Sequence, residues 1–465
     1  MSEEFDQRET QPDSATEGDY SISRRDIAAI LYAVDAGDQA KLIELTEPLH
    51  AADIADFLEQ LNPYDRRRLV QLYGREFDGE ILSELEEGLR EEIISVLHPD
   101  VLAEAVRELE SDDVVDLVED LDEPQQEAIL DALEDSDRVA VEQALAYPET
   151  SAGRLMQREV VVAPDHWTVG EAIDFLRNAE ELPEQFYHVV LVDPRMHPVG
   201  NVTLGKLMSS RRNVRLTEIV EDVFQVIPVL QDEADVAYAF NQYHLISAPV
   251  VDEDDRLVGV ITIDDAMTVL DEEHEEDILR LAGVGDEASL TDTIFEAAKG
   301  RALWLFVNLL TAILASLVID VFADTINQMV ALAVLMPIVA SMGGNAGTQT
   351  MTVAVRALAT RDLTAQNALR VVLRELSVGA LNGLIFGGTM ALVVAFWFQV
   401  PMLALVIGLA MLCTQIAAAL GGIVIPMALD RAGIDPALAS GPFVTTVTDV
   451  VGFFAFLGLA ASVLI

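Results

Sequence analysis

Pro442-Phe443-Val444-Thr445-Thr446-Val447-Thr448-Asp449 is the stretch on which the reading of this chain turns, because it sets a carboxylate about seven residues inside the last long apolar run. An ionised side chain at such depth costs several kcal/mol unless it is paired or hydrated. No Lys or Arg lies within the apolar runs except at their ends, so the natural counter-charge for Asp449 is a cation. Thr445, one turn earlier, sets a hydroxyl and a carbonyl on the same helix face. Hard oxygen ligands with a single carboxylate suit a hydrated Mg²⁺. The competing reading leaves Asp449 close enough to the membrane interface to be simply solvated.

Working outward, five runs are long enough to cross a hydrocarbon core: Ala302 to Phe322, Met329 to Val355, Val371 to Phe398, Met402 to Met427 and Pro442 to Ile465. Lys299 and Arg301 precede the first, Arg356, Arg361, Arg370 and Arg374 fill the second connection, and Arg431 lies in the fourth, whereas the first and third connections hold none. Basic residues mark the cytoplasmic side, so the N-terminus is expected inside and the C-terminus outside. The second run carries Met336-Pro337 and then Ser341-Met342-Gly343-Gly344-Asn345-Ala346-Gly347-Thr348-Gln349. Pro337 removes a helix hydrogen bond and the glycines permit close approach, so a broken backbone lining a cavity is expected here. The competing reading makes the glycines helix-packing surfaces. Glu375, ahead of Gly379, Asn382 and Gly383, is a second buried-acid candidate, with an interfacial ion pair to Arg374 as the alternative.

Composition divides the chain in two. Its 465 residues hold 79 acids against 28 Lys and Arg, a net charge of −51, yet 51% are hydrophobic, which no disordered chain shows. Residues 300 to 465 hold six Arg and seven acids, while the remainder holds 22 basic and 72 acidic residues, so nearly all the charge belongs to a soluble part. Nucleic acid is excluded as a partner for want of a basic face. The lone Cys413 allows neither a disulfide framework nor a cysteine metal site. The first 20 residues, polar and acidic with no apolar core, read as a disordered N-terminus rather than a secretory signal. HExxH, Gly-x-Ser-x-Gly and Walker motifs are absent from the sequence, which disfavours a membrane enzyme or an ATP-driven pump.

Within residues 21–150 a Leu recurs every 12 residues, at Leu49, Leu61, Leu85, Leu97, Leu109, Leu121, Leu133 and Leu145, with Tyr73 on the missing beat. Capping groups follow several of them, as in Leu61-Asn62-Pro63 and Leu97-His98-Pro99-Asp100, so short helices stacked into an all-α superhelical domain are predicted. Residues 151–270 change period. At an offset of 59, Asp193 matches Asp252, Gly200 matches Gly259, Thr203 matches Thr262 and Met208 matches Met267. Two β-α-β-β-α units fit this spacing and resemble a pair of CBS motifs, regulatory modules that often sense adenosyl ligands. Thr262 and Asp265 match the CBS pattern that contacts ribose and phosphate, while the first copy has Lys206 in place of the acid. ATP or another adenine nucleotide is therefore a candidate cofactor at one site, beside a purely structural pair.

Residues 271–300 connect this α/β module to the five-helix membrane domain, 301–465. They begin Asp271-Glu272-Glu273-His274-Glu275-Glu276-Asp277, in which Glu272, Glu275 and Glu276 share a face if helical. With Asp277 these are candidate sites for regulatory divalent cations, against the alternative of a solvated charged linker. The ordered set of domains, Met336-Pro337 with Gly343 to Gln349, and Pro442 to Thr446 with Asp449 resemble the MgtE family of magnesium channels and transporters. The resemblance implies a homodimer in the lipid bilayer with the pore between subunits and Asp449, Thr445, Asn345, Gly343 and Gly344 at the ion path. It also implies a plug helix, about Asp271 to Leu281, that closes the pore when cytosolic Mg²⁺ binds. A membrane-anchored CBS sensor without transport is the alternative. Lys is scarce, with Lys41, Lys206 and Lys299 against 25 Arg, and such an acid-rich, Lys-poor surface is expected of a halophilic host, where a Debye length of about 3 Å at 1 M salt screens self-repulsion.

Overall fold

The computed structural model describes residues 22–119, 121, 123–179, 182–183, 185–284 and 294–464. The expected disordered residues 1–20 and residues 285–293 of the connecting segment lie outside them. The chain divides into two compact units, Met1–Leu270 and Asp271–Ile465.

In the first unit the leucine beat becomes a beat of helix starts. Helices begin at Ala51, Pro63, Glu87, Pro99, Ser111, Glu123 and Asp135, each 12 residues or a multiple of 12 from the last. Side chains of His50, Asn62 and His98 cap three of these starts, and Pro63 and Pro99 enter in the first turn, where no backbone donor is lost. Leu61, Leu97 and Leu109 follow the last turns in extended conformation, which ends each helix and returns an apolar side chain to the core. At the missing beat the helix runs on to Tyr73 and a 3₁₀ turn, Gly74–Glu76, replaces the next start. Long polar side chains satisfy the carbonyls exposed at helix ends. Buried Arg66 donates to the Leu58 and Leu61 carbonyls, and Gln126 donates to those of Val118 and Leu121.

The α/β part contains two three-stranded sheets. β1 (Val162–Pro164) pairs parallel to β2 (His188–Val192), which pairs antiparallel to β3 (Pro198–Thr203). β4 (Ile227–Pro228), β5 (Ser247–Val251) and β6 (Leu257–Thr262) repeat that order. The offset of 59 holds in detail, for β2 and β5 carry the same irregularity at Leu191/Val192 and Val250/Val251, and Met196 and Asp255 share a positive φ. The repeats meet at matched positions, where His188 Nδ1 lies 2.6 Å from Ser247 Oγ. The second repeat ends in a helix that does not stop where the connecting segment was expected to start: it runs unbroken from Ile263 to Ala282.

The second unit contains five helices long and apolar enough to cross a membrane. We label the helices used below in chain order: α1 (Ser111–Glu119), α2 (Ile263–Ala282), α3 (Ile294–Val321), α4 (Ala331–Ala359), α5 (Ala368–Phe398), α6 (Pro401–Arg431) and α7 (Pro436–Val463). α6 is the central helix, packed against α4, α5 and α7. Its apolar stretch is 56% buried, whereas that of α3 is only 6% buried. Leu303, Leu305, Phe306 and Leu309 of α3 are all exposed, as hydrocarbon contact allows.

The expected break in α4 is not found. Pro337 is accommodated inside a continuous helix, and Gly343 to Gln349 are helical throughout. The glycines instead bring helices together. A Cβ added at Gly343 would lie 2.5 Å from Thr414 Cγ2, and one at Gly347 would lie 2.7 Å from Val444 Cγ1, whereas Gly344 has open space. Without a hydrophobic drive between helices in lipid, such small residues allow the close packing that joins α4 to α6 and α7.

Candidate functional site

Helical packing decides which polar groups of α4 and α7 face inward. Gly343, Gly347 and Met351 form the buried face of α4, and the opposite face presents Ser341, Asn345, Thr348 and Thr352, all exposed in the single chain. On α7, Thr448 is fully buried against Gly343 and Gly347, Thr445 is exposed and Asp449 is half-buried. Asp449 lies near the midpoint of the membrane span Ser440–Val463, deeper than its position after Pro442 suggested, since α7 begins at Pro436. It has no hydrogen-bond or ion-pair partner among the described residues. Thr448 Oγ1 donates to the Thr445 carbonyl at 2.9 Å, so of the two Thr445 groups expected to face a cation the hydroxyl is the less engaged. Gly343, expected at the ion path, is a packing position; Gly344 and Asn345 remain on or beside the open polar face.

Among the described residues the connecting-segment acids form no three-carboxylate metal site. Glu272 and Glu275 are exposed, and Glu276 pairs with Arg280 at 2.7 Å. Arg280 also reaches Asp435 at 3.0 Å, and Asp435 caps the start of α7 by accepting from the Ala437 backbone N–H at 2.7 Å. Burial, then the nearby Asp435 charge, pushes the Asp277 carboxyl above its ordinary range, although Arg280 and His274 partly offset this. Leu281 at the end of α2 packs with Met351, Val355, Ala437 and Val444. The end of the connecting helix is thereby tied, by charge and apolar contact, to the helix that carries Asp449.

The sequence reading missed a different cluster. α1 docks on the α/β part through Ser111, whose Oγ donates to Glu159 at 2.8 Å and accepts from the Arg158 backbone N–H at 2.8 Å. Gln157 donates to Glu110. This docking crowds Glu110, Asp112 and Asp113 against Asp264 and Asp265 at the start of α2. Burial, reinforced by the neighbouring acids, pushes Glu110 and Asp113 up to about 7 and raises Asp112 strongly. Asp265 rises to about 6, chiefly through burial. Its carboxylate accepts from the Thr262 hydroxyl at 2.7 Å and from the Thr262 backbone N–H at 3.2 Å. The two residues expected to meet a nucleotide are therefore bonded to each other and turned toward acids, surroundings that repel a phosphate. Among the described residues no three His, Cys, Asp or Glu side chains form a ready-made metal cage. Nothing in the sequence marked these acids, which lie about 150 residues apart among the chain's 79 Asp and Glu.

Glu375 is buried, and Arg374, the alternative partner, stands 3.9 Å away and 72% exposed. It lines a cleft with residues of α4 and α6, and Asp449 is not among the lining residues.

Five membrane-length helices, preceded by a helical domain and a CBS pair, are the architecture of a multi-pass membrane protein with a large N-terminal part outside the membrane spans. Family models match in the same order: the MgtE intracellular N domain at residues 49–150, the CBS domain at 152–213 and 220–272, and MgtE, a divalent cation transporter, at 336–459. The magnesium transporter MgtE of Enterococcus faecalis is 34% identical over 69% of this chain and 71% of its own length. That of Thermus thermophilus is 35% identical over 69% and 71%. Among solved structures, the cytosolic domain of the Mg²⁺ channel MgtE in complex with ATP is similar at 30% identity, covering 52% of this chain and 99% of that one, with a TM-score of 0.49. The chain belongs to the MgtE family, a family of transporters rather than enzymes.

Proposed function

We propose that this chain conducts Mg²⁺ into the cell as a homodimer, through a hydrated path between the polar faces of α4 and α7 of two copies. The observation that carries the reading is Asp449, an acid without a protein partner near the middle of a membrane span. Such a group needs water or a cation. Ser341, Asn345, Thr348 and Thr352 are exposed in the single chain, and a polar stripe of this kind is unfavourable against lipid tails but suits a water-filled interface with a second copy. One carboxylate with amide and hydroxyl oxygens fits an ion that keeps most of its waters. The relatives, magnesium transporters, support the same cargo. The Arg-rich connections support a cytoplasmic N-terminus and an external C-terminus.

Closure by cytosolic Mg²⁺ is the regulatory half of the proposal. Glu110, Asp112, Asp113 and Asp265 fit a cation by their chemistry, since burial, and after it the charge of neighbouring acids, raises their carboxyl ranges. Bound Mg²⁺ would supply neutralising charge there. At the other end of α2, Arg280 and Asp435 hold the connecting helix to the start of α7, with Glu276 and Asp277 beside them. An adenine nucleotide at the CBS pair would use Thr262 and Asp265, and would have to enter against the same acids.

Flux of Mg²⁺ into vesicles holding the full chain, with and without Mg²⁺ on the side of the soluble part, tests both halves. Entry that falls when Mg²⁺ is added to that side is expected. No flux under either condition would leave the anchored-sensor reading, and flux indifferent to that Mg²⁺ would remove the gating half alone.

A further inference from the structure

The cleft beside Glu375 is separate from the proposed ion path. Its volume is ≈ 260 Å³, and its wall includes Ala346, Thr350 and Val353 of α4. At 100° per residue these lie on a different face of the helix from Ser341, Asn345 and Thr348. Gln349 stands at the edge between the two. The opposite wall is α5, where Glu375, Gly379 and Asn382 follow one another at i, i+4 and i+7 on one face. α6 closes the floor with Gln415 and Ala419. Gly379 permits this closeness, since a Cβ there would lie 2.7 Å from that of Ala419.

Among the described residues, most polar groups around this cleft make no side-chain hydrogen bond. Glu375 is only 7% exposed. Its nearest cation, Arg374 Nη1 at 3.9 Å, lies beyond hydrogen-bonding reach on a side chain that extends into solvent. Gln349, Thr350 and Asn382 make no side-chain hydrogen bond among the described residues. Gln415 uses its amide N–H on the Met342 carbonyl at 3.1 Å, which leaves its oxygen available. A buried carboxylate surrounded by amide and hydroxyl oxygens is costly when dry and favourable around a cation. The volume accommodates such an ion with several waters, each taking about 30 Å³.

We propose that this cleft is a second cation site, holding a hydrated divalent cation through Glu375 with Gln349, Asn382 and Gln415, off the path that Asp449 lines. The proposal goes beyond the conduction reading and does not depend on flux. Its test uses Mn²⁺ as a paramagnetic probe and the full chain carrying a fluorinated label on Cys413. That residue is the chain's lone cysteine; it is exposed on α6 and two positions from Gln415. In an Asp449→Ala background, Mn²⁺ is expected to broaden the label's signal. Adding Glu375→Gln, which keeps the side-chain shape, is expected to abolish that broadening, while Glu375→Asp retains part of it. Acids of the soluble part are common to all these proteins and cancel in the comparison. Broadening that survives Glu375→Gln, or none in the Asp449→Ala protein, would overturn the site, the latter meaning that water alone or a protonated Glu375 fills the cleft. Asn382→Ala provides a variant that leaves the acid in place and is expected to weaken the broadening, so a misfolded Glu375→Gln protein would not decide the question.

Discussion

The acid on α7 and the acids at the starts of α1 and α2 present opposite electrostatic problems. Asp449 is alone, half-buried within a membrane span, with no partner among the described residues. Glu110, Asp112, Asp113 and Asp265 are crowded, and each is held protonated to higher pH by burial and, after it, by neighbouring acids. Isolation and crowding both leave negative charge that the protein itself does not compensate. The difference lies in the response expected of each: a lone acid on an open polar face can exchange its ion quickly, while a crowded set resists coming together until a cation or protons arrive.

Removing the lone acid should have the largest effect. Asp449→Ala is expected to reduce Mg²⁺ flux in vesicles to background while insertion into the membrane is preserved; undiminished flux would take Asp449 out of the path. The crowded set should show itself through pH. Carboxyls whose folded values lie near 6 to 7, against 3.8 and 4.5 for the free groups, bind protons on folding. Their contribution to stability is therefore present at low pH and is lost as pH rises from about 4 through about 7. Calorimetry of the full chain should show the soluble unit melting at lower temperature at pH 8 than at pH 5.5 without Mg²⁺. Mg²⁺ should recover much of the difference, and Asp112→Asn with Asp113→Asn should flatten it. The same pair of variants separates the nucleotide reading, because ATP binding lost on Asp265→Asn with an unchanged pH response would assign Asp265 to a phosphate instead.

Packing around the lone acid can be tested without touching charge. Gly343→Ala places a methyl against Thr414 and Thr448 and should cost about 1–3 kcal/mol, read as a lower melting temperature of the membrane unit. Gly344→Ala meets open space and should be neutral or stabilising by up to about 1 kcal/mol. Equal effects would mean that the α4 contact is not where it is placed here. The smallest change is expected from Arg280→Met, which removes the pair to Asp435 at the start of α7. A partly exposed pair of this kind is worth about 1 kcal/mol, so the Mg²⁺ concentration for closure should shift by about fivefold. An unmoved midpoint would mean that the contact takes no part in gating.

Much of the architecture was legible because it is periodic. The 12-residue beat fixed where helices start, since Leu residues on the beat mark helix ends and several are followed by a capping group. The offset of 59 carried over to strand ends and even to a shared irregularity. Pro337 and the α4 glycines misled for a local reason, as propensity alone does not reveal that Thr414 and Thr448 wait to pack against Gly343. Asp449 stood out because acids are rare in the apolar part. The acids of α1 did not, because what makes them unusual is proximity to Asp265, and proximity across such a separation is a product of docking rather than of spacing.

The paired repeats also have a consequence for how sensing could have arisen. At corresponding places stand Lys206 and Asp265, three residues after Thr203 and Thr262. Lys206 Nζ reaches Glu221 at 3.1 Å and the Val220 carbonyl at 3.1 Å, so the first copy is neutralised from within. The second copy presents its acid to other acids. The two copies of the unit thus differ at one matched position, and on the regulation proposed above the second would be the one that responds. A single exchange, Lys206→Asp, would show whether the quiet half can be awakened.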